Sequence, residues 1–206
     1  RFLMIEVLGI NPTIADRRGG AVITVTGTGF RNVSTARCSF GGGSVSQTQQ
    51  QQQQLVPATF ISPTQLTCVA PFSDSTEACL FQPVEVSMNG NMFTQNNVIV
   101  DRRNDVTIVR ANPARVKVGV INRNVRLIGR GFIDNVAARC KLVIHPDFAA
   151  SNYKIYRAQY VSSTAYDCLV PLADTITYPG SYMTIALDGQ VFSATNAQHS
   201  VMGIAE

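Results

Sequence analysis

The chain has 206 residues and a formal net charge of +4, and 45% of its residues are hydrophobic. This composition is ordinary for a globular protein. No apolar run in the sequence approaches the roughly 18 residues that a membrane-spanning helix needs, so we predict no such helix in this fragment. The chain opens with Arg1, so we expect it to be a piece of a longer protein.

The sequence contains an internal repeat of roughly one hundred residues. The stretch GTGFRNVSTARC at 27–38 returns as GRGFIDNVAARC at 129–140. Other pairs recur at nearly the same distance: Asn11-Pro12 and Asn112-Pro113, Cys68 and Cys168, Phe93 and Phe192. Each copy has the size of a normal domain, so we predict two domains, residues 1–102 and residues 103–206.

Strand signals follow one another along both copies, and helix signals are nearly absent. Short β-branched runs between turn residues predict strands at 21–26, 84–88, 98–100, 106–109 and 182–187. Asn89-Gly90 and Asp188-Gly189 predict tight hairpins, because these dipeptides tolerate positive φ. Residues 101–105 remain as a short linker. The pattern indicates an all-β protein made of two tandem sandwiches, each with two packed sheets.

Four cysteines are related by the repeat. Cys38 and Cys68 in the first copy correspond to Cys140 and Cys168 in the second. We predict one disulfide bond in each copy, although buried free thiols would also explain the positions. Disulfide bonds imply an oxidising compartment, which is extracellular, at the cell surface or lumenal, and we predict an extracellular protein, secreted or at the cell surface.

Two further positions fit an extracellular protein. Cys79 has no counterpart in the second copy, so it is either unpaired or bonded to another molecule. Asn32 begins the tripeptide Asn-Val-Ser, which is an acceptor for N-glycosylation, although such a tripeptide also arises by chance.

Charge and tyrosine are concentrated in the second copy. Residues 102–141 carry ten basic and two acidic side chains, and all six tyrosines follow residue 150. On a strand, Tyr156 and Tyr160 share one face, where they would contact a protein or stack on a sugar ring. Together with Arg123 and Arg126 they form a possible interface. The alternatives are tyrosines packed at the domain edge and solvated basic strand faces.

The order of motifs resembles the IPT/TIG domain, the immunoglobulin-like fold shared by plexins, some transcription factors and many surface proteins. In the first copy the matching segments are Asn11-Pro12, Gly27–Phe30, Cys38–Gly42, Cys68–Pro71 and Asn89-Gly90. The second copy keeps these features but replaces the glycines after Cys140 with Lys-Leu-Val-Ile. The resemblance implies binding, adhesion or spacer roles, and it brings no catalytic residues.

The residues give little support for catalysis, metal binding or nucleic-acid binding. The two imidazoles, His145 and His199, lie in no nucleophile or phosphate-binding motif. The cysteines and histidines lack the spacing of zinc ligands, so we expect no metal and no cofactor. A nucleic-acid partner would need a recognition element, and we find none.

We therefore predict a non-enzymatic extracellular protein. In the first hypothesis, it is a structural or interaction protein whose tandem modules build a fibre or surface assembly through protein–protein contacts, including contacts with itself. The alternative is an adhesion or receptor ectodomain fragment that binds a protein or glycan ligand. The apolar residues 2–5 would extend a neighbour's sheet in the first hypothesis, or else belong to the first strand of their own domain.

Overall fold

A computed structural model describes residues 4–41, 53–74, 79–112, 123–143, 153–170, 182–194 and 197–198. The chain divides into two compact units, Arg1–Asn104 and Asp105–Glu206. Every regular element in the described ranges is a β-strand. The fold class is therefore the predicted one, an all-β protein of tandem sandwiches.

The first unit is an eight-stranded sandwich. Its strands are β1 Glu6–Asn11, β2 Ile14–Asp16, β3 Val22–Thr28, β4 Arg37–Phe40, β5 Gln54–Ser62, β6 Gln65–Val69, β7 Cys79–Ser87 and β8 Val98–Arg103. Neighbouring strands pair in the order β1-β3-β6-β5-β4-β7-β8-β2. Strands β2 and β8 are parallel, and the other pairs are antiparallel. Between β1 and β2 the chain passes from one sheet to the other, at the cis peptide bond before Pro12.

The second unit repeats this order. Its strands are β9 Thr107–Asn112, β10 Arg123–Arg130, β11 Arg139–Val143, β12 Tyr153–Ser162, β13 Ala165–Val170, β14 Tyr182–Ala186 and β15 Ala197–Gln198. They pair in the order β15-β14-β11-β12-β13-β10-β9. Read from β9 to β15, this matches the order from β1 to β8 in the first unit, so the sequence repeat is also a repeat of topology.

One strand in each unit takes part in both sheets. Residues 54–57 of β5 pair with β4, and residues 58–62 pair with β6. In the second unit, residues 153–157 of β12 pair with β11, and residues 158–162 pair with β13. The two sheets of a unit therefore separate along this strand.

The repeated Gly-x-Gly-Phe motif has a structural role in each unit. A Cβ atom on Gly27 would lie 2.0 Å from the carbonyl oxygen of Glu6 on the neighbouring edge strand. Gly29 has a φ of +76°, which side-chain-bearing residues rarely adopt. Phe30 then turns into the core, where it is almost fully buried. The same roles in the second unit belong to Gly129, Gly131 and Phe132.

Each core is crossed by a disulfide bond. Cys38 on β4 is bonded to Cys68 on β6, and Cys140 on β11 is bonded to Cys168 on β13. The two strands of each pair belong to opposite sheets of their unit. The bonds therefore connect the two sheets of each sandwich through its interior, where all four cysteines are buried.

The first unit also contains a fully buried arginine. Arg102 on β8 has no exposed surface, and its Nη2 donates to the carbonyl oxygens of Asp16 and Pro71, at 3.1 Å for Asp16. Its Nη1 lies 3.4 Å from Oε1 of Gln82 on β7. One side chain thus connects β2, β7 and the segment after β6.

Three local predictions differ from the structure. The predicted linker at 101–105 is too long, because β8 continues to Arg103 by pairing with both β7 and β2. The predicted tight hairpins at Asn89-Gly90 and Asp188-Gly189 are both wrong, because ten residues separate β7 from β8, and β14 ends at Ala186 while β15 begins only at Ala197. Asn89 instead accepts the N–H groups of Asn91 and Met92 with Oδ1, at 3.0 and 2.9 Å, and of the two residues of the dipeptide only Gly90 has a positive φ. The side chain thus closes a wider loop.

Candidate functional site

The outer faces of the two units differ in charge at equivalent positions. In the first unit, Thr24, Thr67 and Thr59 lie side by side across β3, β6 and β5. At the same register, the second unit places the three side chains of Arg126, Asp167 and Gln159. The Arg126 guanidinium donates to both carboxylate oxygens of Asp167, at 2.7 and 2.9 Å. This bidentate hydrogen bond and the charge of Asp167 raise the pKa of Arg126.

The outer surface of the first unit carries an apolar patch. Val22 on β3 lies opposite Val69 on β6, and Pro57 on β5 follows as the next outward position in the register. Leu55 is the preceding outward residue on β5. Phe72 lies beside this strand, since the side chain of Gln54 donates to its carbonyl oxygen at 2.9 Å.

We define the apolar patch as Val22, Leu55, Pro57, Val69 and Phe72. All five side chains are exposed; Val69 and Phe72 have 51% and 62% of their surface accessible. A group of adjacent apolar side chains on a surface is typical of a contact site, whereas single exposed ones need no explanation.

The second unit contains a cleft of about 520 Å³. It lies between the connection from β10 to β11 and the part of β12 where the two sheets separate. Its walls include Asn135, Val136, Arg139, Arg157, Tyr160 and Leu169. We call it the second-unit cleft. Its volume is within the usual range of ligand-binding pockets, and it combines apolar walls with two guanidinium groups.

The two arginines of the cleft are direct neighbours across strands. Arg139 on β11 and Arg157 on β12 are partners in the antiparallel register. Nη1 of Arg139 also donates to the carbonyl oxygens of Val136 and Ala138, at 3.1 and 2.8 Å, and so holds the β10–β11 connection. Arg157 is exposed.

A buried tyrosine supports the wall of the cleft from inside. The hydroxyl group of Tyr166 donates to the carbonyl oxygen of Ile133 at 2.6 Å and accepts from the backbone N–H of Asn135 at 3.2 Å. Its ring makes edge contacts with Phe132 and Tyr160, each with 5.5 Å between ring centroids. Burial raises the pKa of Tyr166 to about 12.

The raised pKa of Tyr166 predicts a loss of stability in alkali. The folded state keeps its proton above pH 10, where the unfolded state loses it, so the stabilisation is complete below about pH 10 and disappears as the pH rises toward 12. Tyr166→Phe should lower the free energy of unfolding by about 1–2 kcal/mol at pH 7, because two hydrogen bonds are lost. Urea denaturation from pH 7 to 11 measures both effects. If the free energy of unfolding of the wild type exceeds that of the variant by the same amount at pH 7 and at pH 11, the raised pKa of Tyr166 is contradicted.

The structure changes the interpretation of the predicted interface residues. Tyr156, Ala158 and Tyr160 do share one face of β12, but that face is the inner one: Tyr156 is 8% exposed and packs in the core. The predicted surface role of Tyr156 is therefore wrong, because its strand partner is the buried Cys140. Tyr160 is half-buried and lines the second-unit cleft.

The predicted basic residues lie on β10. Arg126 is exposed but is already engaged by Asp167. Arg123 begins β10 opposite Val170, and its side chain lies outside the described residues. The sequence did not indicate Arg139, Arg157 and Leu169 as a cleft. Aligning the two copies could have drawn attention to this site, because Arg157 in the second copy replaces Pro57 of the first.

The remaining predicted sites are placed as follows. Asn32 is exposed in the connection between β3 and β4. Cys79 is the first residue of β7, opposite Arg103, and its side chain lies outside the described residues. Within the ranges that the structure describes, no group of three or more His, Cys, Asp or Glu side chains has the arrangement of a metal site. In those same ranges, we find no helix of the length and hydropathy needed to cross a membrane.

The chain is similar to several solved structures, one of them with a TM-score above 0.5. The extracellular region of plexin A4 is similar with a TM-score of 0.58 and 19% identity, over 90% of this chain and 15% of that chain. A second structure of that region has a TM-score of 0.36 at 9% identity, covering 94% of this chain and 24% of that one. An ectodomain fragment of ICAM-5 has a TM-score of 0.29 at 13% identity, covering 97% and 49%. No curated protein matches the sequence significantly.

The strand order and the inter-sheet disulfide bonds define a tandem immunoglobulin-like β-sandwich protein. The family model of the IPT/TIG domain matches residues 6–100, which form the first unit almost completely. The first unit is therefore an IPT/TIG domain, and the second unit repeats its topology. It spans 15% of the plexin chain that it resembles.

Proposed function

We propose that this protein is a non-enzymatic extracellular module that works through protein–protein contacts. The observation that carries the proposal is the apolar patch of the first unit. Five exposed apolar side chains lie there on one sheet face and at its margin. Covering such a surface is favourable by about 25 cal/mol for each Å² removed from water.

Several features support an extracellular location. Two disulfide bonds inside separate sandwiches fit an oxidising compartment. Asn32 and Ser34 of the glycosylation tripeptide are both exposed, as a modifying enzyme requires. We propose that Asn32 carries a glycan in a eukaryotic secretory pathway. The intact mass of the secreted protein, before and after glycosidase treatment, tests this.

In the finer form of the proposal, the apolar patch mediates self-association into a fibre or surface assembly. The double variant Val69→Thr and Phe72→Ser keeps the strand but removes two exposed apolar side chains. We expect it to weaken association at least tenfold, because each apolar side chain contributes on the order of 1–2 kcal/mol when it is fully covered. Sedimentation velocity and electron microscopy of the full chain, without reducing agent, measure the effect.

A matched control separates the patch from general surface hydrophobicity. Met92 is 77% exposed in the loop between β7 and β8, and this loop contacts the β3–β4 connection, where Thr35 donates to the carbonyl oxygen of Met88, and not the patch strands. Met92→Thr should leave association unchanged. If the wild type stays monomeric at all accessible concentrations, the self-assembly proposal is incorrect.

A monomeric result would favour the second candidate, an adhesion or receptor ectodomain fragment that binds a protein or glycan ligand. The similarity to a plexin extracellular region concerns the fold alone, but it supports an ectodomain context as a proposal. The second-unit cleft is the concave site that such a ligand would use. Screening the monomer against extracellular proteins and glycans, with the Val69 and Phe72 variant in parallel, would decide whether the patch also contacts a different partner.

A further inference from the structure

We propose that the second-unit cleft binds an acidic side chain of a peptide segment, with an apolar side chain of the same segment against its walls. This inference rests on the second candidate function and deepens it, since it assigns a ligand chemistry to the second-unit cleft. The cleft and the apolar patch are tested by different variants, so either assignment can fail without the other.

The first argument is the pairing of two like charges. Arg139 and Arg157 are register partners, and both point outward, because the neighbouring partners Cys140 and Tyr156 point into the core. Like charges directly opposite each other in an antiparallel pair destabilise a sheet. An anion between them removes this repulsion and accepts charge-assisted hydrogen bonds from guanidinium groups. The arrangement therefore favours a bound carboxylate.

The second argument comes from the internal repeat. In the first unit, Arg37 takes the place of Arg139, and its Nη1 donates to the carbonyl oxygens of Ser34 and Ala36 at 2.9 and 2.8 Å. This is the same loop-holding arrangement. The partner of Arg37 across the strands is Pro57, however, so the fold does not require an arginine at that position.

Arg157 thus has no counterpart in the first unit's fold. Among the residues that the structure describes, no hydrogen bond or ion pair involves its guanidinium group. Its donors are exposed at the cleft, next to a guanidinium that already holds the wall. The guanidinium group of Arg157 is therefore positioned to bind a ligand in the cleft.

The lining favours a peptide over a sulfated glycan. Tyr160, Val136 and Leu169 present apolar surface, and Leu169 follows Cys168, whose register partner Ala158 is the residue after Arg157. Asp134 lies in the same cleft and would repel a ligand with many negative charges. A ligand with one carboxylate and a neighbouring apolar side chain can bind the guanidinium groups and pack against the apolar walls at the same time.

The test uses the full chain and two acetylated, amidated peptides, Gly-Leu-Glu-Leu-Gly and the same peptide with Gln in place of Glu. We expect chemical-shift changes in NMR spectra at Arg157 and Leu169, and binding of the Glu peptide at least tenfold tighter than of the Gln peptide. Arg157→Gln should abolish this preference, and Arg157→Lys should keep part of it, because a lysine keeps the charge without the planar fork. Raising the salt concentration should weaken the Glu peptide only.

Controls distinguish a binding role from a structural one. Arg130→Gln removes an exposed arginine of β10 that does not line the cleft, and it should leave the preference intact. Arg157→Gln should not lower the melting temperature of the ligand-free protein, because it removes a like-charge neighbour. A lower melting temperature would assign Arg157 a structural role and overturn the proposal. Equal binding of both peptides would also overturn it, and so would tighter binding of a heparin hexasaccharide at Arg157.

Discussion

Replacing both Cys38 and Cys68 with alanine is expected to lower the free energy of unfolding of the first unit by about 3–4 kcal/mol. The bond closes a loop with a sequence separation of 30 residues, and its loss restores the conformational entropy of that loop in the unfolded chain. Since the bond also joins β4 to β6, its removal leaves the two sheets connected only by packing and chain segments. Guanidinium denaturation of the full chain measures the change.

The matched control is Cys79→Ala, which removes a cysteine outside both bonds. This variant should keep the wild-type denaturation midpoint of the sandwich core. Peptide mapping without reduction should recover Cys38 linked to Cys68 in the control and in the wild type. A loss below about 1 kcal/mol in the double variant would show that the bond contributes little to the stability of the folded unit.

Arg102→Met is expected to cost about 3 kcal/mol or more in the first unit. Methionine keeps most of the apolar volume, but the carbonyl oxygens of Asp16 and Pro71 and the amide of Gln82 lose a buried donor. An unsatisfied buried polar group costs about 1–3 kcal/mol, so two or three of them determine the size of the effect. Thermal and urea denaturation of the full chain check this value.

The neighbouring residue provides the comparison. Arg103 is partly exposed and pairs with Asp101 on the same strand. Arg103→Met should cost less than about 1 kcal/mol, because surface ion pairs contribute little. Equal losses in the two variants would contradict the role of Arg102 as the buried link between β2, β7 and the segment after β6.

Much of the fold could be predicted because its signals are local. The runs at 21–26 and 182–187 coincide closely with β3 and β14, since β-branched residues between turn residues leave few alternatives to a strand. The extension of β8 into the predicted linker at 101–105 could not be predicted from local signals. Arg102 and Arg103 look like solvated linker residues, and only pairing with a distant strand explains their place in β8.

The candidate sites were less predictable for a related reason. Tyr156 and Tyr160 were correctly placed on one face of a strand, but alternation does not say which face is buried. The answer depends on the packing of β12 against the opposite sheet around the Cys140–Cys168 bond. The apolar patch has the same origin: Val22 and Val69 are distant in sequence, and antiparallel pairing makes them neighbours.

By itself, the sequence determined the all-β class, the internal repeat and the IPT/TIG character of the first copy, because alternation, turn residues and motifs are properties of short segments and of their period. Only the tertiary structure decided which side chains face solvent together. It buried Arg102, turned Tyr156 inward and placed Arg157 opposite Arg139. The physical reason is that burial and cross-strand contact depend on strands far apart in the chain, and a local pattern carries no information about which strand becomes the neighbour.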